Sequence, residues 1–249
     1  MGLVRIFYRG AFLVLLISAG GLLTLLFQRG TMPRDGLSSK ITCWWHRTVI
    51  RILGIELRVY GTPSDSATLF AANHLSWLDI HVIGSQLPAR FLSRAEVRHW
   101  PVFGWLASRA GTLYIPRGSK NASAQANEVM HAALRNDHHV VLFPESTTSD
   151  GNIRRFHGRL MQSAINAECM VQPIAIRYPH TSKAVHDAVL YTGDMSFMQS
   201  AKNVMAARGI TAELHFLEAV NACDKTRDEL ARYAEVKVKS LFENSPQTL

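Results

Sequence analysis

The sequence predicts a single α/β domain with a mixed, largely parallel sheet flanked by helices, preceded by an N-terminal membrane-associating helical segment. Three observations predict it. Strand-like and helix-like segments alternate from residue 55 onward. The length of 249 residues suits one sizeable α/β domain with a short appendage. An uncharged, mostly apolar run, Ala11–Phe27, lies between Arg5 and Arg9 on one side and Arg29 on the other. The expected division is 1–60 for the membrane-associating segment and 61–249 for the α/β domain.

The run Ala11–Phe27 covers 17 residues, at the short end for crossing hydrocarbon. A cleavable leader has similar flanks, but the apolar run continues through Leu22–Phe27, past the only cleavage-like triplet, Ser18-Ala19-Gly20. An uncleaved anchor is expected, spanning once or lying in one leaflet. A loop, Gly30–Lys40, leads to a helix over Ile41–Leu53, where Trp44 and Trp45 with interleaved Arg47 and Arg51 suit an interfacial helix and an ordinary core helix equally. Gly54 stops it. Strands are then expected at Ile55–Tyr60, Thr68–Ala72, Arg90–Ser93, Thr112–Ile115, His139–Phe143, Val171–Arg177 and Thr211–Leu217, with a short extended piece at Leu190–Tyr191. Helices are expected at Ser76–Leu87, Ala122–Leu134, Leu160–Ala167, Phe197–Ala207 and Arg227–Phe242, and Val97–Ala110 is expected to be mostly helical after Pro101.

The formal charge is +8 and the pI about 9.7, so the surface favours anionic partners. The cations crowd into residues 1–60 and into the stretch from Arg90 to Lys120, beside apolar segments. That pattern fits an anionic bilayer and not nucleic acid. Cys43, Cys169 and Cys223 stand apart, with no metal-ligand or disulfide spacing, and are expected to be buried, inert thiols in a reducing compartment.

Three segments carry chemistry. The buried strand at Thr68–Ala72 runs into Asn73-His74, and Asp79 follows five positions after His74, inside the next helix. Strand ends in α/β sheets are where ligand crevices form. A neutral imidazole there can remove a hydroxyl proton, if a carboxylate fixes its tautomer and steadies the imidazolium. Second, Gly111 opens a short strand that ends in Arg117, a position from which a guanidinium can grip a phosphate. Third, the strand at His139–Phe143 delivers Glu145, Ser146 and Thr147 into a turn, where they can hold a polar head. No Gly-x-Ser-x-Gly elbow supplies a serine nucleophile.

In this order and spacing the three segments resemble the glycerolipid acyltransferase family, which contains the lysophosphatidic acid acyltransferases. Its Asn-His-x-x-x-x-Asp motif is matched by Asn73, His74 and Asp79. Its Gly-x-x-Phe-Ile-x-Arg motif is matched by Gly111, Ile115 and Arg117, with Tyr114 for Phe. Its Phe-Pro-Glu-Gly-Thr-Arg-Ser motif is matched by Phe143, Pro144, Glu145, Thr147 and Ser149. A fourth, a proline within an apolar strand, looks like Val171–Ile176. The likeness spans residues 40–220. Ser146 stands where the family has glycine and Thr148 where it has arginine. The first costs something if the turn needs a positive φ, and the second removes one phosphate ligand.

The resemblance implies direct transfer of a fatty acyl group from acyl-CoA or acyl-carrier protein to the free hydroxyl of a lysolipid. His74 would act as base and Asp79 would orient it. Asn73, Gly111, Arg117, Glu145, Ser146 and Thr147 would bind substrate, with no metal and no cofactor beyond the thioester co-substrate. The acceptor expected first is 1-acyl-sn-glycerol-3-phosphate, giving phosphatidic acid. The alternatives are another lysolipid, such as lyso-ornithine lipid, or a non-catalytic membrane-binding relative. A lipid hydrolase using the same dyad on water is the rival from another reaction class. Location at the inner membrane with the site facing the cytoplasm is expected, where thioester donors reside.

Overall fold

The computed structural model describes residues 2–27, 34–115, 121–183 and 185–243. The elements, in chain order, are α1 (Gly2–Phe27), α2 (Leu37–Leu53), β1 (Ile55–Tyr60), β2 (Thr68–Ala72), α3 (Leu78–Gly84), β3 (Ala89–Arg94), α4 (Phe103–Arg109), β4 (Leu113–Ile115), α5 (Ala122–Arg135), β5 (His139–Leu142), α6 (Gln162–Asn166), β6 (Met170–Arg177), α7 (Phe197–Ala206), β7 (Ile210–Phe216), β8 (Val220–Asn221) and α8 (Arg227–Glu243). The sheet runs β1-β7-β6-β2-β5-β3-β4, with β8 beside β6. Every neighbouring pair is parallel except β6 with β7 and β6 with β8. The mixed, mostly parallel α/β fold is therefore as expected. β1, within the 1–60 segment, is the edge strand of this sheet.

Side-chain alternation along the strands builds two cores. Phe70, Ala72, Val141, Ile174 and Ile176 face α2, α3 and α7 on one side. Leu69, Ala71, Val140, Leu142 and Ala175 face α5, α6 and α8 on the other. All ten are buried to 1% exposure or less, so the central strands are covered on both faces, as parallel strands require. Pro173 sits where β6 changes antiparallel partner, from β8 at Val171 to β7 at Ile174. Its missing N–H breaks no ladder there.

Several elements differ from expectation for local reasons. α1 begins at Gly2, before the apolar run, and α2 begins at Leu37. The stretch Val97–Ala110, expected to be mostly helical after Pro101, is a 3-10 turn at Ala95–His99 followed beyond Pro101 by α4. Pro101 forces Trp100 into an extended conformation (φ −68°, ψ 126°) and breaks the run. Leu190–Tyr191 is not a strand. The cysteines are not uniformly hidden: Cys43 is buried, Cys169 half-buried and Cys223 exposed.

α1 is long and apolar enough to cross a membrane. Its cations are nonetheless tied to the domain. Arg9, buried to 6%, donates from Nη1 to the carbonyls of Val204, Met205 and Ala207 (3.3, 2.9 and 2.9 Å), and Arg5 Nε donates to that of Ala206 (2.8 Å). These carbonyls end α7, where a cation also meets the negative end of the helix dipole. Gly54, which caps α2 at φ 69°, is required twice over: a Cβ there would lie 2.3 Å from Arg9 Nη2. The opposite side of α1, including Leu3, Val4, Phe7, Phe12 and Leu15, is exposed.

Candidate active site

The loop between β2 and α3 is organised by one carboxylate. Asp79 is fully buried, and its Oδ2 accepts from His74 Nδ1 (2.8 Å), from the Leu75 N–H (2.7 Å) and from the Ser76 N–H (2.9 Å). Its Oδ1 accepts from the Tyr178 hydroxyl (2.7 Å). These bonds keep residues 73–77 out of the helix and start α3 at Leu78, later than the expected Ser76. With Nδ1–H donating to Asp79, the tautomer that results leaves His74 Nε2 with a lone pair, ready to accept a proton. The ring stacks on Phe143 (3.9 Å between centroids, 15° between planes), which fixes its plane. Burial and the neighbouring carboxylate push the Tyr178 hydroxyl well above its ordinary range, so it stays a donor.

The third segment holds His74 from the other side. Glu145 accepts from the His74 N–H through Oε1 (2.8 Å) and from the Arg154 N–H through Oε2 (2.8 Å). The Ser149 N–H donates to the His74 carbonyl (2.8 Å). Burial raises the Glu145 carboxyl above its usual range, outweighing the two N–H donors that favour its charge. Both backbone groups of His74 are thus pinned by the Phe143–Ser149 turn, across 71 and 75 positions of sequence.

The expected site residues divide into three groups. His74, Asp79, Glu145, Ser146 and Thr147 come together, with Ser146 and Thr147 exposed at the turn. Asn73 is fully buried, and its amide pairs with the Ile176 backbone in both directions (3.0 and 2.7 Å), so it ties β2 to β6. Glu145, with both oxygens on backbone N–H groups, likewise supports His74. Gly111 (φ 80°) turns the chain into β4 next to the Arg90 side chain, at the opposite end of the sheet from His74. Arg117 lies outside the described residues.

Two residues were missed. Tyr178 gives no local signal, because it meets Asp79 across 99 positions. Arg94 ends β3 at the level of the site, and its Nη2 donates to the Ser146 carbonyl (3.2 Å). It puts an exposed guanidinium beside the turn that lacks the family's arginine. At that arginine's place, the Thr148 hydroxyl is bonded to the Tyr191 carbonyl.

Ser146 does adopt a positive φ, 63°. A side chain is strained there and glycine is not, so Ser146→Gly is expected to raise stability by about 0.5–1 kcal/mol. Denaturation of both proteins in the same detergent checks this.

An apolar cavity of about 500 Å³, within the size range of small-molecule sites, lies among α1, α2, α3 and α4. Trp77, three residues after His74, forms part of its wall with Trp45, Ile80, Phe91, Trp100 and Leu106.

Similarity to known proteins shows the family and the fold. The Acyltransferase family profile matches residues 56–177. The chain is 36% identical over 255 positions to a lyso-ornithine lipid O-acyltransferase of Pseudomonas aeruginosa, covering 100% of this chain and 98% of that protein. It is 38% identical over 136 positions to a 1-acyl-sn-glycerol-3-phosphate acyltransferase of Neisseria meningitidis, covering 53% of each. Its fold is similar to the crystal structure of PlsC, the 1-acyl-sn-glycerophosphate acyltransferase of Thermotoga maritima, with a TM-score of 0.73 at 21% identity over 97% of this chain and 95% of that one.

Proposed function

The chain belongs to the acyltransferase family, and from that membership we propose that it moves a fatty acyl group from a thioester to the free hydroxyl of a lysolipid, with His74 as general base. The observation that carries the reading is the 2.8 Å bond between His74 Nδ1 and a fully buried Asp79, and an apolar cavity with Trp77 in its wall supports it as a place for an acyl chain. In this mechanism His74 Nε2 takes the hydroxyl proton as the oxygen attacks the thioester carbonyl. The ester C–O bond forms, the C–S bond breaks, and the proton passes from the imidazolium to the departing thiolate. Asp79 holds the tautomer and stabilises the imidazolium between these steps. His74, Asp79 and the two substrates suffice for this proton balance, with acyl-CoA or acyl-carrier protein as co-substrate and no further cofactor.

For the acceptor the proposal is lyso-ornithine lipid. Two things support it: the Pseudomonas enzyme of that name is matched over the full length of both chains, and Thr148 supplies a backbone-bonded hydroxyl where a phosphate-binding arginine would stand. 1-acyl-sn-glycerol-3-phosphate, the acceptor first expected, remains the second reading. The Neisseria match and the guanidinium of Arg94 beside Ser146 favour it. We infer that the enzyme works on an anionic membrane, at the cytoplasmic face of the inner membrane where thioester donors reside; the apolar outer side of α1 and the net charge of +8 support the membrane part of that reading.

Purified protein offered both acceptors with labelled acyl-CoA and acyl-carrier protein tests the choice. Lyso-ornithine lipid is expected to react with a kcat/KM at least about tenfold higher, the discrimination one charged contact supplies. Preference for the phosphate-bearing acceptor would return the assignment to phosphatidic acid synthesis.

A further inference from the structure

The broken helix after β3 ends in an unusual turn. Phe103 N–H donates to the Pro101 carbonyl at 2.6 Å, and Val102 between them has φ 62°, ψ −56°. This is a γ-turn of the rare, strained hand, and a β-branched residue at its apex is a conformational outlier. Strain of this kind persists where the surroundings enforce it and is concentrated at working surfaces. Here Gly104 permits the close packing around it. A Cβ at 104 would lie 2.3 Å from the Arg98 carbonyl, so only glycine lets α4 close so tightly on the 3-10 turn.

The turn holds apolar groups out into the solvent. Val102 is 52% exposed, Trp100 41%, Phe103 42%, and Met198 at the start of α7 60%. The backing is aromatic. Trp100 and Phe103 pack on Phe197 (5.8 and 6.0 Å between centroids), and Phe197 packs edge-on against Trp77 (5.3 Å), whose Nε1 donates to Ser200 Oγ (3.0 Å). Trp100, Phe103, Phe197 and Trp77 all line the apolar cavity, whereas Val102 does not. The tip is therefore the cavity's outer rim.

We propose that this tip, Trp100 to Phe103, is a lip that inserts into the hydrocarbon of the bilayer and joins the cavity to it, so that acyl chains enter from the side. The partner is a lipid surface, for two reasons on the same flank. Exposed Arg98 and Arg109 form a cationic collar, their guanidinium groups over the rings of Tyr114 (6.0 Å) and Trp105 (5.9 Å), suited to anionic headgroups. Trp105 in turn lies against α1, within 3.8 Å of a Cβ built on Gly21, so the lip continues the exposed apolar side of α1. Aromatic residues above a basic collar are what a membrane interface selects. The inference stands whether or not a lysolipid hydroxyl is the acceptor.

The test uses the full-length protein bound to vesicles of phosphatidylethanolamine and phosphatidylglycerol whose acyl chains carry bromine. The emission lost in Trp100→Phe reports Trp100, and it is expected to be strongly quenched. Val102→Gly relieves the turn, so it should raise Tm in detergent while reducing that quenching. Val102→Asp should leave activity on a monomeric short-chain acceptor unchanged and lower activity on vesicle-embedded acceptor by about tenfold, the effect of losing one buried valine. Unquenched Trp100 would overturn the proposal, as would equal effects of Val102→Asp on the two acceptor forms. So would concentration-dependent dimers that bury the tip in place of lipid. If no acyl transfer is found at all, the quenching still decides for or against the lip.

Discussion

His74→Ala is expected to lower acyl transfer by about a thousandfold or more while the protein stays folded. The loss follows from removing a basic ring nitrogen whose ring is held by a buried carboxylate. The fold should survive because Asp79 keeps three donors, the Leu75 and Ser76 N–H groups and the Tyr178 hydroxyl. The Glu145 and Ser149 contacts to residue 74 run through its backbone and persist in alanine. One hydrogen bond and one ring stack are lost, roughly 1–2 kcal/mol. Turnover measured beside thermal unfolding checks both halves. Near-normal turnover in a folded variant would remove His74 from the mechanism.

Asp79 should behave differently, because it is both an orienting and a structural group. Asp79→Asn keeps the shape, and its carbonyl can still accept from the loop N–H groups while its NH₂ faces the Tyr178 oxygen. The imidazolium then has no charge to lean on, and turnover is expected to fall about a hundredfold to ten-thousandfold with the fold retained. Asp79→Ala leaves four donors without an acceptor in a site of zero exposure, a destabilisation of about 3 kcal/mol or more. The pair separates the two roles. An alanine variant as stable as the asparagine variant would mean that Asp79 does not organise the 73–77 loop.

Much of this site was legible in the sequence because its main parts are local. His74 and Asp79 lie five positions apart at a strand end, and buried strands such as Thr68–Ala72 and His139–Leu142 announce themselves as continuous apolar runs. The positive φ at Ser146 was also foreseeable, as the physical content of a glycine expected at that place. The misses share a different cause. Tyr178 reaches Asp79, and Asn73 reaches Ile176, only after β2 and β6 pair, and no local pattern encodes that pairing. For the same reason Glu145 reads as a headgroup ligand in sequence, yet its carboxylate closes on the His74 and Arg154 backbone. Pro101, a breaker visible in the sequence, put the helix of the Val97–Ala110 stretch mostly after it, and α4 does begin beyond it, at Phe103.

The measurement closest to the central claim is the product that purified protein makes from labelled acyl-CoA and lyso-ornithine lipid in anionic vesicles. The label is expected in an ester on the lysolipid hydroxyl, formed by the wild type and nearly absent with His74→Ala. Label appearing only as free fatty acid, with the lysolipid unchanged, would contradict it and make the His74–Asp79 pair a water-activating dyad.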